Sequence, residues 1–314
     1  MGLTLQRWQA HLQYWQPRFQ NTIRQHWPAH VFRHEPLDNI LNVLSSGSLL
    51  SRNAAIGQIS NDVALEDIIN CNNAAHDSVR LYFRPRNPTQ YHIEGIRKQH
   101  EYYHGKHAGV LIVLVFDASD LITRADAQFS DGNMQSNQTN VYSNNTGFGH
   151  LDFAKIYHDT HSPDADTIRA RCAEVLIPSP LNLVGPLRSI LVRSQAERIM
   201  LVEKLQTSQL NTFIPMVSVV RQSGIFFNHY SGIEYVDIEN PFITFEAVQR
   251  RDGQSIDLEI EVWDQSRTQL LSSGRNQNCS PATKYRWDPN LASGLYFLII
   301  RIDSTLAFEG SIQT

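Results

Sequence analysis

The sequence predicts an α+β protein whose last third is an all-β sandwich. Two observations carry this prediction. Over residues 1–205, short apolar strands at Ser78–Phe83, Gly109–Phe116, Val175–Ile177 and Leu187–Val192 are interspersed with helical segments. After Gln206, short β segments follow one another, separated by the turn pairs Asp252-Gly253, Ser273-Gly274 and Ser293-Gly294. Leu258, Ile260 and Val262 alternate there with Glu259, Glu261 and Trp263, the pattern of a half-exposed strand. The division expected is a helical extension over 1–29, a mixed α/β domain over 30–206 and a sandwich over 207–314.

The elements follow from local patterns. Leu5, Trp8, Leu12 and Trp15 share one helical face, which Pro17 interrupts before Phe19, Ile23 and Trp27 resume it. A helical layer packed on the domain is expected here, with a docking helix for a partner protein as the alternative. Val31–Arg33 reads as a strand, and Leu37–Leu44 as a helix behind Pro36, capped by Gly47. Asn53–Ala75 reads as a long loop with a helical piece at Val63–Ile69. Two prolines close the strand Ser78–Phe83 with Arg84-Pro85-Arg86-Asn87-Pro88, and alternation sends Arg80 and Tyr82 to one side, Leu81 and Phe83 to the other. A polar helix is expected over Glu94–Tyr103, a polar loop over Ala127–Gly149, and helices at Leu151–Tyr157 and Thr167–Ala173, the last after a capped turn at Ser162–Asp166. Glu174 then opens the strand that Pro178 ends. Ala196–Leu205 is helical. The sandwich strands expected are Val217–Val220, Gly224–Asn228, Phe242–Gln249, Asp257–Trp263, Tyr285–Trp287, Gly294–Ile302 and Leu306–Ile312. The run Ala292–Ile300 is similar to the penultimate strand of fibronectin-type and bacterial sorting-type sandwiches.

Charge narrows the function classes. The 314-residue chain has a net charge of −4, with 19 Lys+Arg against 19 Asp+Glu in residues 1–205 and 8 against 12 in residues 206–314. A general nucleic-acid coater is strongly basic, so only an enzyme with a local basic groove remains in that class. No run reaches the ~18 apolar residues of a membrane span, and the N-terminus lacks a secretory pattern. Three scattered cysteines, Cys71, Cys172 and Cys279, form neither a disulfide framework nor a zinc site. A cytoplasmic protein with free thiols is expected.

Nucleotide-binding glycine loops, HExxH, CxxC and GxSxG are absent from the sequence. His100, His104 and His107 could place two rings on one helical face, but no third ligand accompanies them, so no metal is expected. Four groups stand at strand-to-loop transitions: Arg33-His34-Glu35, Arg84-Pro85-Arg86, Asp131-Gly132-Asn133 and Glu174. Alone, Glu174 reads as a solvated strand-end acid. Together the four suit a ligand with anionic phosphates and a reacting centre that turns cationic, because arginine forks bind phosphate and a fixed carboxylate stabilises a developing oxocarbenium ion. NAD cleaved at its nicotinamide–ribose bond is such a ligand.

The order of four stretches resembles the DarT-type ADP-ribosyltransferases, bacterial toxins that transfer ADP-ribose from NAD to nucleic-acid bases. They are Phe32-Arg33-His34-Glu35-Pro36-Leu37-Asp38-Asn39-Ile40 with Gly47-Ser48-Leu49-Leu50, Leu81-Tyr82-Phe83-Arg84-Pro85-Arg86-Asn87-Pro88, Ser130-Asp131-Gly132-Asn133, and Arg171-Cys172-Ala173-Glu174-Val175-Leu176-Ile177-Pro178. The resemblance covers about residues 30–205 and rests mainly on the second and fourth stretches. It implies an ADP-ribosyltransferase-like split β-sheet core with helices. It also implies Arg86 and Glu174 as catalytic residues, with Arg33, His34, Glu35, Tyr82, Phe83 and Arg86 at the NAD, which is a co-substrate. Arg84, Asp131, Asn133, Arg169 and Arg171 would meet the nucleic acid, with about Tyr157–Arg171 presenting the target base. The first stretch departs from the family: Arg33 stands at the His position, Glu35 at the Thr position, and His34 is one residue off. Either the strand is shifted by one residue or Arg33 takes over the NAD contact.

The function expected is transfer of ADP-ribose from NAD to a base of single-stranded DNA, as the toxin of a toxin–antitoxin or anti-phage system. The alternatives are RNA bases or protein side chains as acceptors, and a non-catalytic NAD- or partner-binding protein. The acidic sandwich is expected to bind a partner, an antitoxin protein or a chaperone, rather than nucleic acid.

Overall fold

A computed structural model describes residues 2–64, 76–134, 136, 138–161, 163–220 and 224–314. Most of the expected helical piece Val63–Ile69, together with Cys71 and Ser162, lies outside the described residues. Contacts divide the chain into two compact units. The first holds Met1–Tyr91, Val113–Leu191 and Gln222–Phe226; the second holds His92–Ile112, Val192–Arg221 and Phe227–Thr314. Among the described residues, no helix is long and apolar enough to cross a membrane.

The first unit opens with the helix Leu5–Phe19, capped by the Thr4 hydroxyl, which accepts the Arg7 N–H at 3.3 Å. Its buried face is Trp8, His11 and Phe19; Leu5, expected there, is exposed. Pro17 does not interrupt the helix, because it falls in the last turn and removes only one hydrogen bond. His11 stacks on Trp8 with centroids 4.9 Å apart, and its Nε2 lies 3.1 Å from the Tyr157 hydroxyl.

The strands of this unit are β1 (His30–Pro36), β2 (Ser48–Leu49), β3 (Ser78–Tyr82), β4 (Leu111–Asp117), β5 (Gln128–Ser130), β6 (Val141–Tyr142), β7 (Glu174–Pro178), β8 (Leu181–Asn182) and β9 (Leu187–Val192). Seven lie side by side in the order β9-β4-β1-β3-β7-β5-β6, while β2 pairs with β8. β4 is apolar on both faces and buried from Leu111 to Phe116, as a strand covered on both sides must be. β3 runs antiparallel to both neighbours, with Tyr82 opposite Phe32 of β1 and opposite Glu174 of β7. The helix Leu37–Ser46 follows Pro36 and ends on Gly47 at φ +66°, as expected.

The expected loop Ala127–Gly149 instead contains β5, β6 and the helical turn Asn145–Phe148, started by the Asn144 side chain accepting the Gly147 N–H at 2.8 Å. Asp152 and Asp164 start the short helices Phe153–Ile156 and Ala165–Ala170 in the same way. Polar composition there marks caps as well as loops.

In the second unit the expected helix Glu94–Tyr103 does not form. Gly95 takes φ +84°, its N–H bonds the Ala108 carbonyl at 3.2 Å, and Gln99–Glu101 makes only a 3₁₀ turn. His100, His104 and His107 therefore share no helical face; His107 stacks on Tyr102 at 4.2 Å. The helix Gln195–Thr207 buries Ala196, Met200, Leu201 and Leu205.

The remaining strands are β10 (Val217–Val219), β11 (Ile233–Glu239), β12 (Phe242–Ala247), β13 (Ile256–Asp264), β14 (Leu270–Cys279), β15 (Lys284–Trp287), β16 (Leu295–Ile302) and β17 (Thr305–Gln313). The last seven form two antiparallel sheets, β11-β12-β15 and β14-β13-β16-β17. β11 and β14 were not expected, and Gly224–Asn228 forms no strand. Ser273-Gly274 lies inside β14 and is not a turn. A Cβ on Gly274 would stand 3.2 Å from Ile260 Cγ2 and 3.3 Å from Trp287 Nε1, so glycine there serves close approach.

Burial, aided by Arg7, pushes the His11 imidazole down to about 3. The unfolded chain then binds a proton that the folded chain refuses, so stability is full above about pH 6.5 and is lost as pH falls towards about 3. Replacing His11 with Gln should flatten this acid limb of the stability–pH curve, read from urea midpoints; a limb of unchanged slope contradicts the assignment.

Candidate active site

Glu174 is fully buried at the mouth of β7. A carboxylate there needs partners, because an isolated buried charge is prohibitively costly. Alternation on β3 supplies the main one. Arg80 stands two residues from Tyr82, on the face where Tyr82 meets Glu174, and its guanidinium forks onto the carboxylate: Nη2 to Oε1 at 2.6 Å, Nε to Oε1 at 3.0 Å and to Oε2 at 3.1 Å. Arg80 Nη2 also donates to Asn133 Oδ1 at 3.0 Å, and the Met134 N–H reaches Glu174 Oε2 at 3.3 Å. Burial opposes the charge on Arg80, but Glu174 outweighs it and holds the guanidinium above its ordinary value.

The backbone around Glu174 is equally fixed. Its N–H donates to the Ser130 hydroxyl at 3.0 Å, and that hydroxyl donates to the Gly132 carbonyl at 2.6 Å. The Asp131-Gly132-Asn133 turn is thereby tied to the strand mouth. Asp131 itself faces away from Glu174 and towards Asn140, accepting from its N–H at 3.0 Å and its amide at 2.9 Å; Arg169 approaches Asp131 at 3.5 Å and donates to the Gln138 carbonyl at 3.1 Å.

The register of β1 sets Phe32 opposite Tyr82, which brings His34 to the Arg80–Glu174 face. Its ring lies parallel to Tyr82, with centroids 5.3 Å apart and planes within 8°. Burial, then Arg33 and Arg80, push His34 down to about 3, so a neutral imidazole covers the phenol. Burial, with Glu174, pushes Tyr82 up to about 12. Arg33 instead pairs with Glu35 at 2.6 Å and donates to the Arg80 carbonyl at 3.3 Å. Phe83 lies in the core against Phe153, at 5.3 Å, and away from this face.

Past the Phe83–Ala173 hydrogen bond of 3.3 Å, where the chain has left β3, a second cluster forms. Asp159 divides its oxygens between two arginines: Arg84 Nη2 at 2.9 Å on Oδ1 and Arg86 Nη1 at 3.1 Å on Oδ2. Arg84 is buried, with its guanidinium 4.6 Å above the Trp27 ring and hydrogen bonds to the Pro85 and His158 carbonyls. Burial works against its charge, and Asp159 offsets part of this. Arg86 stands at φ +54°, a conformation L residues avoid, fixed by its N–H bonding Gln90 Oε1 at 2.8 Å. Gln90 is held in turn by Asn87 Oδ1 and the Ile225 carbonyl. Arg171 donates to His158 Nδ1 and to the Thr160 carbonyl, each at 2.9 Å, which makes His158 a neutral acceptor. Cys172 lies between the clusters, and burial, then Glu174, pushes its thiol up to about 12, so it is no nucleophile at neutral pH.

The structure thus brings Glu174, Asn133, Tyr82 and His34 together, and separately Arg84, Arg86 and Arg171. Arg80 was not among the sequence-predicted site residues. Its signal was present: one of three arginines in seven residues, on the same face as Tyr82.

A family model described as DarT, the ssDNA thymidine ADP-ribosyltransferase, matches residues 32–226. Among solved structures, Thermus sp. 2.9 DarT in complex with ADP-ribosylated ssDNA is similar, with a TM-score of 0.51 and 19% identity, covering 62% of this chain and 96% of that one. Thermus sp. 2.9 DarT in complex with carba-NAD+ gives 0.49 and 18%, covering 62% and 97%. Thermosipho africanus DarTG in complex with ADP-ribose gives 0.48 and 15%, covering 67% and 53%. At such identities the first likeness is one of fold. No curated protein matches the sequence.

Removing either member of a buried pair leaves an uncompensated charge. Arg80→Ala should therefore lower stability by roughly 3 kcal/mol, and the double change with Glu174→Ala should cost less than the two single changes added together. A denaturant double-mutant cycle measures this coupling, and strict additivity would refute it.

Proposed function

The chain belongs to the DarT family of ssDNA thymidine ADP-ribosyltransferases, and we propose that it transfers ADP-ribose from NAD to a base of single-stranded DNA, with Glu174 and Arg86 as its catalytic residues. The observation that carries this reading is the buried Glu174 carboxylate, held in one orientation by Arg80 and the Asn133–Met134 turn, at the sheet end where Arg86 stands. Such preorganisation is what charge stabilisation in a transition state requires.

The donor set suits NAD as a substrate. The Arg86 guanidinium can bind diphosphate oxygens, and the flat Tyr82–His34 pair offers a surface to a nicotinamide ring. In the reaction the bond from nicotinamide nitrogen to ribose C1′ breaks and nicotinamide leaves with the electron pair. A base nitrogen then bonds to C1′ and releases its proton to solvent. Glu174 stabilises positive charge developing at the ribose, and Arg86 helps prepare the target base. The Tyr82 register favours His34 over Arg33 as the NAD contact. Arg84 and Arg171 order the Tyr157–Thr160 loop, which in this reading presents the base, while Asp131, Asn133 and Arg169 shape the opposite loop.

The family description names thymidine, so thymidine is the acceptor to test first; RNA and protein are the comparison acceptors. Glu174→Gln keeps the shape of the side chain and should lower transfer about 100-fold or more, while saturating NAD still raises the melting temperature. Mass spectrometry of the oligonucleotide reads the adduct, and transfer at the wild-type rate would overturn the mechanism.

The sandwich is read as a partner-binding module for an antitoxin protein. Supporting this, β14 is a sheet edge with Leu270 and Leu271 exposed at its start. Replacing both by Lys should preserve transfer and abolish neutralisation in cells; persisting neutralisation would move the partner elsewhere.

A further inference from the structure

The first 31 residues contain three arginines and no acidic residue, in a chain with 27 basic and 31 acidic residues in all. This cationic, amide-rich segment precedes residue 32, where the family match begins. We propose that its portion Tyr14–His26 is a second contact for the single-stranded DNA substrate, holding nucleotides that flank the modified base; this rests on the transferase reading above.

Three observations place and shape this contact. The segment adjoins the loop assigned to the target base: Arg24 Nη1 donates to the Tyr157 carbonyl at 3.0 Å, and the Trp15 and Phe19 rings meet Tyr157 at 5.5 and 5.6 Å. Next, Tyr14 is 51% exposed, and the Arg18 guanidinium lies 3.5 Å over its ring. An aromatic face joined to a fixed cation is how sequence-tolerant single-strand sites stack a base and hold its phosphate. Finally, an open depression of about 320 Å³ is lined by Gln16, Pro17, Gln20, Gln25 and His26. Glutamine amides both donate and accept, as the edge of a base requires.

The exposed side chains argue for DNA as the occupant. They are mainly cationic, amide and aromatic, with Ile23 the one large aliphatic side chain exposed among them and no carboxylate to repel phosphate, whereas a protein-docking helix presents a continuous apolar face. Unpaired bases suit the site, since stacking on Tyr14 needs an open base face.

The test uses the full-length protein and a long thymidine-containing oligonucleotide, with binding read by fluorescence anisotropy in the absence of NAD. The variant Tyr14→Ala/Arg18→Ala/Gln25→Ala should bind about tenfold more weakly. The slope of log affinity against log salt should fall by about 0.7 for one lost phosphate contact. Stabilisation by NAD should be unchanged, because the segment is assigned to nucleotides that flank the modified base and not to NAD. Arg18→Glu is a second variant; both alter exposed side chains, so folding is preserved. Wild-type affinity and salt slope in both variants would overturn the proposal, as would a wild-type protein that does not bind single strands or binds duplex equally well. Weaker binding by the variants together with no transfer by the wild type would uphold the strand contact and reject the transferase reading.

Discussion

The fork from Arg80 to Glu174 ties together three pieces of chain distant in sequence: β3, β7 and the turn after β5. Each strand presents its charge because of a period of two, and the charges meet because Tyr82 is in register with Glu174. A buried pair of this kind contributes little net stability compared with an apolar pair of the same volume. Stability alone therefore does not account for it. What it does provide is a carboxylate of fixed direction, surrounded by groups that need not reorganise when a positive charge develops nearby.

The second cluster extends the same constraint beyond the end of the strands. Asp159 is shared by Arg84 and Arg86, but the two arginines differ in kind. Arg84 directs its donors to Asp159 and to the Pro85 and His158 carbonyls, and so holds the loop in place. Arg86 keeps a left-handed backbone that Gln90, Asn87 and the Ile225 carbonyl together stabilise. Backbone strain of this kind costs on the order of 1–3 kcal/mol and persists only where the surroundings over-determine it. The N-terminal helix belongs to this arrangement too, since His11, Trp15 and Phe19 all pack on Tyr157, the first residue of the Tyr157–Thr160 loop.

Some elements could be read from local sequence because local chemistry alone decides them. Pro36 and Gly47 bound their helix, the apolar run ending at Phe116 forms a buried strand, and Arg80 and Tyr82 share a face by alternation. Others failed for identifiable reasons. Glu94–Tyr103 has helical composition, but Gly95 turns left-handed under Tyr230 and Arg193, a contact no local pattern reveals. Ser273-Gly274 resembles a turn, yet Trp287 and Ile260 crowd that position inside a strand. Asn144 looks like a loop residue and is a helix cap.

By itself the sequence determined the α+β class, the C-terminal sandwich, and Glu174 and Arg86 as candidates, because motif order and side-chain period are properties of the chain alone. Only the tertiary structure decided how those residues are partnered. Strand register chose Arg80 for Glu174 and chose the neutral His34 over Arg33 to lie on Tyr82. Register depends on pairings between residues as distant as Ser78 and Pro178, and local pattern carries no information at that range.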